Sequence, residues 1–205
     1  MTASRVVVWR HGETDWNADG RYQGQADVGL NAKGLEQARA AAVRLAALKP
    51  DRIVASDLSR ASASAGILGS RIGLPVEVEP RLQEINVGDW VGMTNDEVFS
   101  AHPDFAEALL AGRDARRSAT GETGSEAGAR VAEALLDIAE AGPDGSTVVA
   151  VGHGFALRVA MVFLLGLDYA HNLTLGGLWN GSWSVLQPGG ETWRLLSYNN
   201  VAQLS

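Results

Sequence analysis

The chain of 205 residues contains no cysteine. A disulfide framework and a thiolate metal site are therefore both excluded, and the composition fits a reducing compartment. Lysine is also scarce, since Lys33 and Lys49 are the only two, and nearly all other cationic side chains are arginines. Because the net charge is −7, we do not expect the chain to bind nucleic acid or an anionic membrane through its overall charge.

The sequence also has no long apolar segment. The longest apolar stretch, residues 156–167, is interrupted by Arg158 and is too short to span a bilayer. The N-terminal residues lead into a short strand without the basic and apolar regions of a signal peptide. We therefore expect a cytoplasmic protein that has no membrane partner.

The order of the predicted elements indicates an α/β fold. Unbroken apolar runs such as residues 6–9 and 148–151 are typical of strands covered on both faces. They alternate with helical periodicity, so we predict a three-layer α/β/α sandwich with a mostly parallel central sheet, in a single domain over residues 1–205. Strands are predicted at 6–9, 52–55, 76–78, 147–151, 182–186 and 192–196. Helices are predicted near 31–50, 56–72 and 128–141, with two short helices, one after Thr94 and one opened by Pro103, and an apolar helix after Gly154. Residues 112–128 are predicted to form a mobile loop.

Three of these strands end in side chains suited to an anionic ligand. The first is followed directly by Arg10 and His11, and the fourth by His153 between two glycines. The second leads into a helix whose first turn would contain Arg60 if Asp57 were its N-cap. Parallel strands bring their carboxyl ends to one edge of the sheet, where ligands bind in such folds. The sequence therefore predicts a cationic site for a phosphate dianion, beside an imidazole that could attack phosphorus.

Phosphoryl transfer to a histidine also needs a carboxyl group, which protonates the leaving oxygen and later accepts a proton from water. Glu84 is our candidate, because it lies in an irregular segment after the third predicted strand. Spacing alone does not choose among the acids, so Glu13, Asp15 and Glu122 remain alternatives.

Five short motifs follow one another along nearly the whole chain. They are Arg10-His11-Gly12-Glu13-Thr14 with Asn17; Gly20 to Gln25 with Leu30-Asn31 and Gly34; Ser56-Asp57-Leu58 with Arg60-Ala61; Leu82 and Glu84 with Gly88, Trp90 and Gly92; and Gly152-His153-Gly154. In sequence and order they resemble the motifs of the histidine phosphatase superfamily, in its phosphoglycerate-mutase-like branch. Five matches in the right order make the resemblance specific.

The resemblance implies a role for each matching residue. His11 would be the nucleophile that becomes phosphorylated, and Glu84 the proton donor and later the base. Arg10, Arg60 and His153 would bind the transferring phosphoryl group. The branch needs no metal, and we expect no cofactor for this chain. The residues expected to bind phosphate or substrate are Arg10, Asn17, Gln23, Gly24, Arg60, His153 and Gly154.

An open site favours hydrolysis over return of the phosphoryl group. Cofactor-dependent phosphoglycerate mutases of the branch carry an insertion, which this chain lacks between Gly92 and Gly121, and a longer C-terminal tail. Residues 177–183 are similar to those of actinobacterial glucosyl-3-phosphoglycerate phosphatases, although Glu13 stands where that group is expected to have glutamine.

We therefore predict a phosphatase that acts on a small phosphorylated metabolite, with glucosyl-3-phosphoglycerate as a candidate substrate. The related phosphatases suggest a homodimer. A phosphoglycerate mutase and a catalytically silent phospholigand-binding protein remain the alternatives.

Several other side chains are interpreted as structural. The arginines Arg113, Arg116 and Arg117 are expected on a solvated loop face, with recruitment of an anionic substrate as the alternative. His102 and His171 are expected in solvent. The tryptophans are expected mainly to pack in the sheet and core, with a dimer surface as the alternative: Trp179, Trp183 and Trp193.

Overall fold

Strands and helices alternate along residues 2–203, the part of the chain that the computed structural model describes. The strands are β1 Arg5–Arg10, β2 Arg52–Ala55, β3 Val76–Val78, β4 Thr147–Gly152, β5 Trp183–Gln187 and β6 Arg194–Asn200. The α-helices are α1 Asp15–Ala18, α2 Ala32–Ala46, α3 Ser59–Ile72, α4 Asn95–Ala101, α5 Pro103–Leu110, α6 Gly124–Glu140 and α7 Gly154–Leu164. Short 3₁₀ helices span Pro80–Leu82, Gly88–Trp90 and Tyr169–Thr174.

All six strands belong to one sheet with the order β3-β2-β4-β1-β5-β6. The pairs β1–β4, β4–β2 and β2–β3 are parallel, whereas β5 is antiparallel to both β1 and β6. The mostly parallel sheet confirms the prediction. The hairpin between β5 and β6 adds an antiparallel edge beside the first strand of the chain.

Side chains of β1 alternate between two apolar cores. Val6 and Val8 face a core that is built with α6 and α7, while Val7 and Trp9 face a core that is built with α2 and α3. All four side chains are buried, and each contributes about 1.5–3 kcal/mol through removal of apolar surface from water. Helices therefore cover both faces of the sheet, which confirms the predicted three-layer α/β/α architecture. Every helix within residues 2–203 is too short or too polar to cross a bilayer.

Helix α6 begins earlier than predicted, so the prediction of a loop up to residue 128 is wrong. Thr123 is the N-cap, and its hydroxyl accepts from the Glu126 N–H while the Glu126 carboxylate accepts from the Thr123 N–H. This reciprocal capping box satisfies amides at the start of the helix. The two glycines in the first turns, Gly124 and Gly128, allow the ring of Tyr169 and a helix α7 side chain to approach closely.

The predicted N-cap of α3 is also wrong. The helix begins at Ser59 with Leu58 at the N-cap position, and Asp57 instead accepts hydrogen bonds from the side chain of Gln83. A carboxylate from a distant loop replaces the expected cap, because Asp27 accepts from the Ser59 N–H at 2.7 Å. The helix start is therefore fixed by a long-range contact.

Helices α4 and α5 lie in the connection between β3 and α6 and form a third, smaller core. Trp90 and Phe105 pack edge to face with their ring centroids 4.6 Å apart. Phe155, at the start of α7, packs against this cluster. The connection therefore forms a wall above the carboxyl ends of the parallel strands.

Candidate active site

A cavity of about 430 Å³ opens at the carboxyl ends of β1 and β2. Seven of the residues predicted to form the site line it: Arg10, His11, Asn17, Gln23, Gly24, Arg60 and Glu84. His153 and Gly154 are not among the lining residues, but lie directly behind them. The other lining side chains are Arg21, Tyr22, Ile85, Val87, Phe105, Leu109, Arg117, Phe155, Arg158 and Leu173.

His11 is buried at the end of β1, and one ring nitrogen is already engaged. Its Nδ1 lies 2.6 Å from the carbonyl oxygen of Gly12, so Nδ1 carries the proton in the neutral ring and Nε2 keeps its lone pair. Burial first, and then the charges of Arg10 and Arg60, lower the pKa of His11 well below 6.5. A neutral imidazole with a free Nε2 is the form that can attack phosphorus.

Arg60 and His153 are joined in a buried network. The Nε of Arg60 donates to His153 Nδ1 at 3.2 Å, and the two terminal nitrogens donate to the carbonyls of Gly24 and Ala26. Because His153 Nδ1 accepts, its Nε2 carries the proton and lies 3.0 Å from Ser56 Oγ. Burial, followed by the neighbouring imidazole and guanidinium groups, lowers the pKa of His153 well below 6.5.

This network places His153 behind the cavity. Its ring centroid is 5.1 Å from that of His11, and both of its nitrogens have protein partners. In this arrangement His153 accepts from Arg60 and helps to fix its guanidinium beside His11.

Arg10 lies across the start of α7. One of its terminal nitrogens donates to the carbonyl of Leu178, whereas its buried Nε has no partner among the described residues. A Cβ at Gly154 would come within 2.9–3.0 Å of the guanidinium, so a glycine there is needed for this close approach. Arg10 therefore has a buried donor available to an anion in the cavity.

Asn17 is oriented by groups on both sides. Its Oδ1 accepts from the backbone and hydroxyl of Thr14 and from Nδ2 of Asn180, the last at 3.0 Å. Asn180 Nδ2 also approaches the His11 carbonyl oxygen at 3.4 Å. With Oδ1 occupied, the amide nitrogen of Asn17 is the end left to donate into the cavity.

Gln23 and Gly24 form one wall of the cavity. The Oε1 of Gln23 is buried and has no hydrogen-bond partner within residues 2–203. The Gly24 carbonyl accepts from Arg60 at 2.8 Å and is therefore turned away from an anionic ligand. Gln23 is thus available to a ligand, while Gly24 supports Arg60.

Glu84 lies at the N-terminus of α7. Its Oε1 accepts from the N–H groups of Ile85 and Ala156, and its Oε2 accepts from the N–H of Phe155 at 3.1 Å. A carboxyl oxygen has two lone pairs, so one position on Oε2 stays open. The carboxyl group is held rigidly in the cavity and keeps a single site for a proton.

The three alternative acids lie outside the cavity. Glu13 pairs with Lys33 at 2.8 Å, and Asp15 is exposed on α1. Glu122 forms a two-point ion pair with Arg130 and also accepts from the Asn86 N–H. Among the residues that the structure describes, Glu84 is therefore the one carboxylate that lines the cavity.

Arg130, on α6, was not identified from the sequence. Its guanidinium donates to the carbonyl oxygens of Arg81 at 2.7 Å, Gln83 at 3.0 Å and Glu84 at 3.2 Å. Together with Glu122 it fixes the irregular segment that carries the carboxyl group. The sequence gives no signal for this role, because one arginine in the apolar pattern of a helix does not indicate that it anchors a distant segment.

Two further arginines in the cavity were missed or misinterpreted. Arg117 is only 4% exposed, which contradicts the expected solvated position, and its guanidinium lies 5.0 Å from the ring centroid of Phe155. Arg158 lies 5.5 Å from the same ring. The available signal was that Arg158 is the charged residue of an otherwise apolar helix, five positions after His153.

The predicted positions of the other histidines and of the tryptophans are confirmed in part. His102 and His171 are exposed as expected, although His102 stacks on Trp90 with the centroids 5.1 Å apart. Trp193 is buried, but Trp179 is 69% exposed, so core packing is wrong for Trp179. Within the described residues, the His, Asp and Glu side chains nowhere form a group of three or more placed to hold a metal ion.

The chain is similar in sequence to known proteins of one superfamily. The model of the histidine phosphatase superfamily (branch 1) matches residues 6–201. A glucosyl-3-phosphoglycerate phosphatase of Mycolicibacterium vanbaalenii is 41% identical over 100% of this chain and 98% of its own length. A probable phosphoglycerate mutase GpmB of Enterobacter sp. is 37% identical over 80% of this chain and 75% of its own length.

Solved structures give the same result. A mycobacterial glucosyl-3-phosphoglycerate phosphatase in complex with VO3 superposes with a TM-score of 0.88 at 37% identity and covers 96% of this chain and 99% of the other. A phosphoserine phosphatase of Entamoeba histolytica in complex with 3-phosphoglyceric acid has a TM-score of 0.85 at 25% identity, covering 96% of this chain and 97% of the other. These similarities confirm the predicted superfamily and fold.

Proposed function

The chain belongs to branch 1 of the histidine phosphatase superfamily, and on this premise we propose that it hydrolyses a phosphomonoester through a phosphohistidine intermediate. The observation that supports this most directly is the state of His11. Its Nδ1 is engaged by the Gly12 carbonyl and its pKa is lowered by burial and two arginines, so a neutral Nε2 faces the cavity.

In the first step, His11 Nε2 forms a bond to phosphorus while the ester P–O bond breaks. Glu84 donates its proton to the leaving alcohol oxygen. Arg10 and Arg60 balance the charge on the phosphoryl oxygens, and the Asn17 amide donates a further hydrogen bond. In the second step, water attacks phosphorus, its proton passes to Glu84, and the N–P bond breaks to release inorganic phosphate.

The hydrogen bonds of Glu84 support its use in both steps. Three backbone N–H groups hold the carboxyl group, and the open lone pair on Oε2 is the position for the transferred proton. Because the same oxygen gives and regains the proton, the group returns to its starting state after each turnover.

The phosphoenzyme is the test of this proposal. Brief incubation with a ³²P-labelled phosphomonoester should label the wild-type chain with an acid-labile, base-stable group. His11→Ala should remain unlabelled, whereas His171→Ala, which alters an exposed histidine, should be labelled like the wild type. Absence of both labelling and phosphate release from the wild type would leave a silent phospholigand-binding protein as the better explanation.

For the substrate, we propose glucosyl-3-phosphoglycerate, because relatives named for that activity match the whole chain at 37–41% identity. A screen of phosphorylated metabolites for phosphate release tests this proposal. The mutase alternative, favoured by the GpmB relatives, predicts that 3-phosphoglycerate yields 2-phosphoglycerate and no free phosphate.

We also propose that residues 1–205 act as one cytoplasmic domain that pairs into a homodimer. All predicted site residues lie around a single sheet, which supports one domain. Exposed apolar side chains near the β6 edge, Trp179, Leu196 and Val201, support pairing of two copies. Sedimentation equilibrium of the wild type and of Leu196→Asp would test the dimer, since the variant should remain a monomer.

A further inference from the structure

The segment before β5 contacts two of the phosphate-binding residues but has no regular structure of its own. It spans residues 176–182, between the last 3₁₀ helix and β5. Three of its seven residues are glycines, which restrict the backbone less than any other residue. The position of this segment therefore depends on the groups that hold it from outside.

One peptide group of the segment holds Arg10. The Leu178 carbonyl oxygen accepts from a terminal nitrogen of Arg10 at 2.5 Å. Within residues 2–203, this oxygen is the one hydrogen-bond acceptor of that guanidinium. The orientation of the peptide group between Leu178 and Trp179 therefore helps to set the direction of the guanidinium.

The same peptide group is held from its other side by Asn199, near the end of β6. The Trp179 N–H donates to Asn199 Oδ1 at 2.9 Å, and Asn199 Nδ2 donates to the Gly177 carbonyl oxygen at 3.0 Å. The C=O of Leu178 and the N–H of Trp179 belong to one planar trans unit and point in opposite directions. One peptide group therefore links the Asn199 carboxamide to the Arg10 guanidinium.

The segment continues from this peptide group to Asn17 and His11. Asn180 Nδ2 donates to Asn17 Oδ1 at 3.0 Å. The Gly181 N–H donates to the His11 carbonyl oxygen at 3.0 Å. A rotation of the segment at Asn199 would therefore disturb the phosphate-binding side of the cavity.

Asn199 reaches the segment because β6 has a bulge there. Tyr198 and Asn199 lie opposite the single β5 residue Ser184, and the Asn199 N–H donates to Ser184 Oγ at 3.0 Å. The φ of Asn199 is 54°, in the left-handed region that asparagine enters more readily than most residues. A residue other than glycine persists in this conformation where surrounding contacts hold it. The contacts of the carboxamide are such contacts.

We propose that Asn199 is a positioning residue, which acts through the peptide group between Leu178 and Trp179 to orient Arg10 for the phosphate group of the substrate. Asn199 is not among the residues that line the cavity, so it would act without touching the substrate. Its effect on phosphate binding follows from these contacts, whereas its effect on turnover rests on the proposed phosphatase function.

Removal of the carboxamide tests this role. Asn199→Gly removes both side-chain contacts, while glycine adopts the left-handed backbone readily. We expect the Kd of inorganic phosphate, measured by NMR titration, to rise about tenfold, because a charge-assisted hydrogen bond from Arg10 loses its orientation. Asn199→Asp keeps the acceptor for the Trp179 N–H, and its Kd should rise less than about threefold.

Two matched controls separate this role from general effects of substitution. Asn200→Ala removes the neighbouring amide, which donates to the Trp183 carbonyl and the Ser197 hydroxyl within the β5–β6 hairpin. Lys49→Gly introduces glycine at an exposed residue with a similar φ of 52°, outside the cavity wall. Each control should change the Kd of phosphate less than about twofold, and melting temperatures show whether every variant folds.

A double-mutant cycle identifies the residue that transmits the effect. In an Arg10→Gln background, Asn199→Gly should weaken phosphate binding less than about twofold further, because the group that Asn199 orients is already gone. A general loosening of the fold would instead weaken binding equally in both backgrounds.

The outcomes separate the two proposals. A rise in the phosphate Kd of less than about twofold in Asn199→Gly, or equal losses with and without Arg10, would overturn the positioning role. If Asn199→Gly does not fold, Asn199→Ser replaces it, since Ser118 already adopts a φ of 58° in this chain. If the wild type binds phosphate with this coupling but does not hydrolyse para-nitrophenyl phosphate, the phosphatase function is overturned and the positioning role is retained.

Discussion

Replacement of Arg130 by methionine should destabilise the protein and impair the carboxyl group of the cavity. Methionine keeps much of the side-chain volume but removes all five donors. Arg130 donates to the carbonyls of Arg81, Gln83 and Glu84 and pairs with Glu122, and both ion-pair side chains are only 21–22% exposed. At about 1 kcal/mol for each of three carbonyl bonds, we expect a loss of about 3 kcal/mol in the free energy of unfolding.

Urea unfolding and thermal melting measure this loss. For a domain of this size, about 3 kcal/mol corresponds to a decrease of about 6–12 °C in melting temperature. Because Arg130 anchors the Glu84 carbonyl, kcat should also decrease by at least about tenfold below the melting range, since small displacements of a reacting group are costly.

The exposed ion pair of Arg113 and Glu107 provides the control. Arg113→Met should change the free energy of unfolding by less than about 1 kcal/mol, as is usual for surface pairs. A double-mutant cycle of Arg130→Met with Glu122→Gln should give a coupling energy of about 0.5–3 kcal/mol. If Arg130→Met loses less than about 1 kcal/mol and retains kcat, the proposed anchoring role is refuted.

Three other predictions concern His11 and the groups around it. Below about pH 6.5 the histidines of the unfolded chain bind protons that buried His11 and His153 do not bind in the folded chain. The free energy of unfolding should therefore decrease as pH falls from about 7 to 5.5. Nitrogen NMR should show both rings neutral in this pH range, and protonated rings at about pH 6 would contradict the prediction. Gly154→Ala should displace the Arg10 guanidinium and raise the Ki of inorganic phosphate at least about tenfold with little change in melting temperature, and an unchanged Ki would argue against the close approach. Asn180→Ala should lower kcat/KM about tenfold and be non-additive with Asn17→Ala, whereas additive losses would mean that the two side chains act separately.

The sheet and the cluster at its edge could be predicted because their signals are local. Apolar runs such as residues 148–151 mark buried strands, and parallel pairing then brings Arg10, His11 and Arg60 together. The choice of Glu84 among four acids depended on the family resemblance, since spacing left it open.

Long-range contacts account for what the sequence did not predict. The cap of α3 comes from Asp27, and the Glu84 segment is held by Arg130, 46 positions away in the sequence. The sequence around Arg117 does not distinguish it from the exposed Arg116. The burial of Arg117 depends on Phe105 of α5 and Phe155 of α7, which contact it only in the folded chain. Such contacts appear only once the elements have packed.

The position of β1 in the sheet has a consequence for how the chain folds. β1 is the first strand of the described chain, yet its neighbours β4 and β5 begin at Thr147 and Trp183. At translation rates of 5–20 residues per second, β1 waits about 7–28 s for its first partner. During that time Val6, Val7, Val8 and Trp9 form an unpaired apolar segment that could bind a chaperone or aggregate. His11, the proposed nucleophile at the end of β1, is therefore synthesised well before the strands that complete its surroundings.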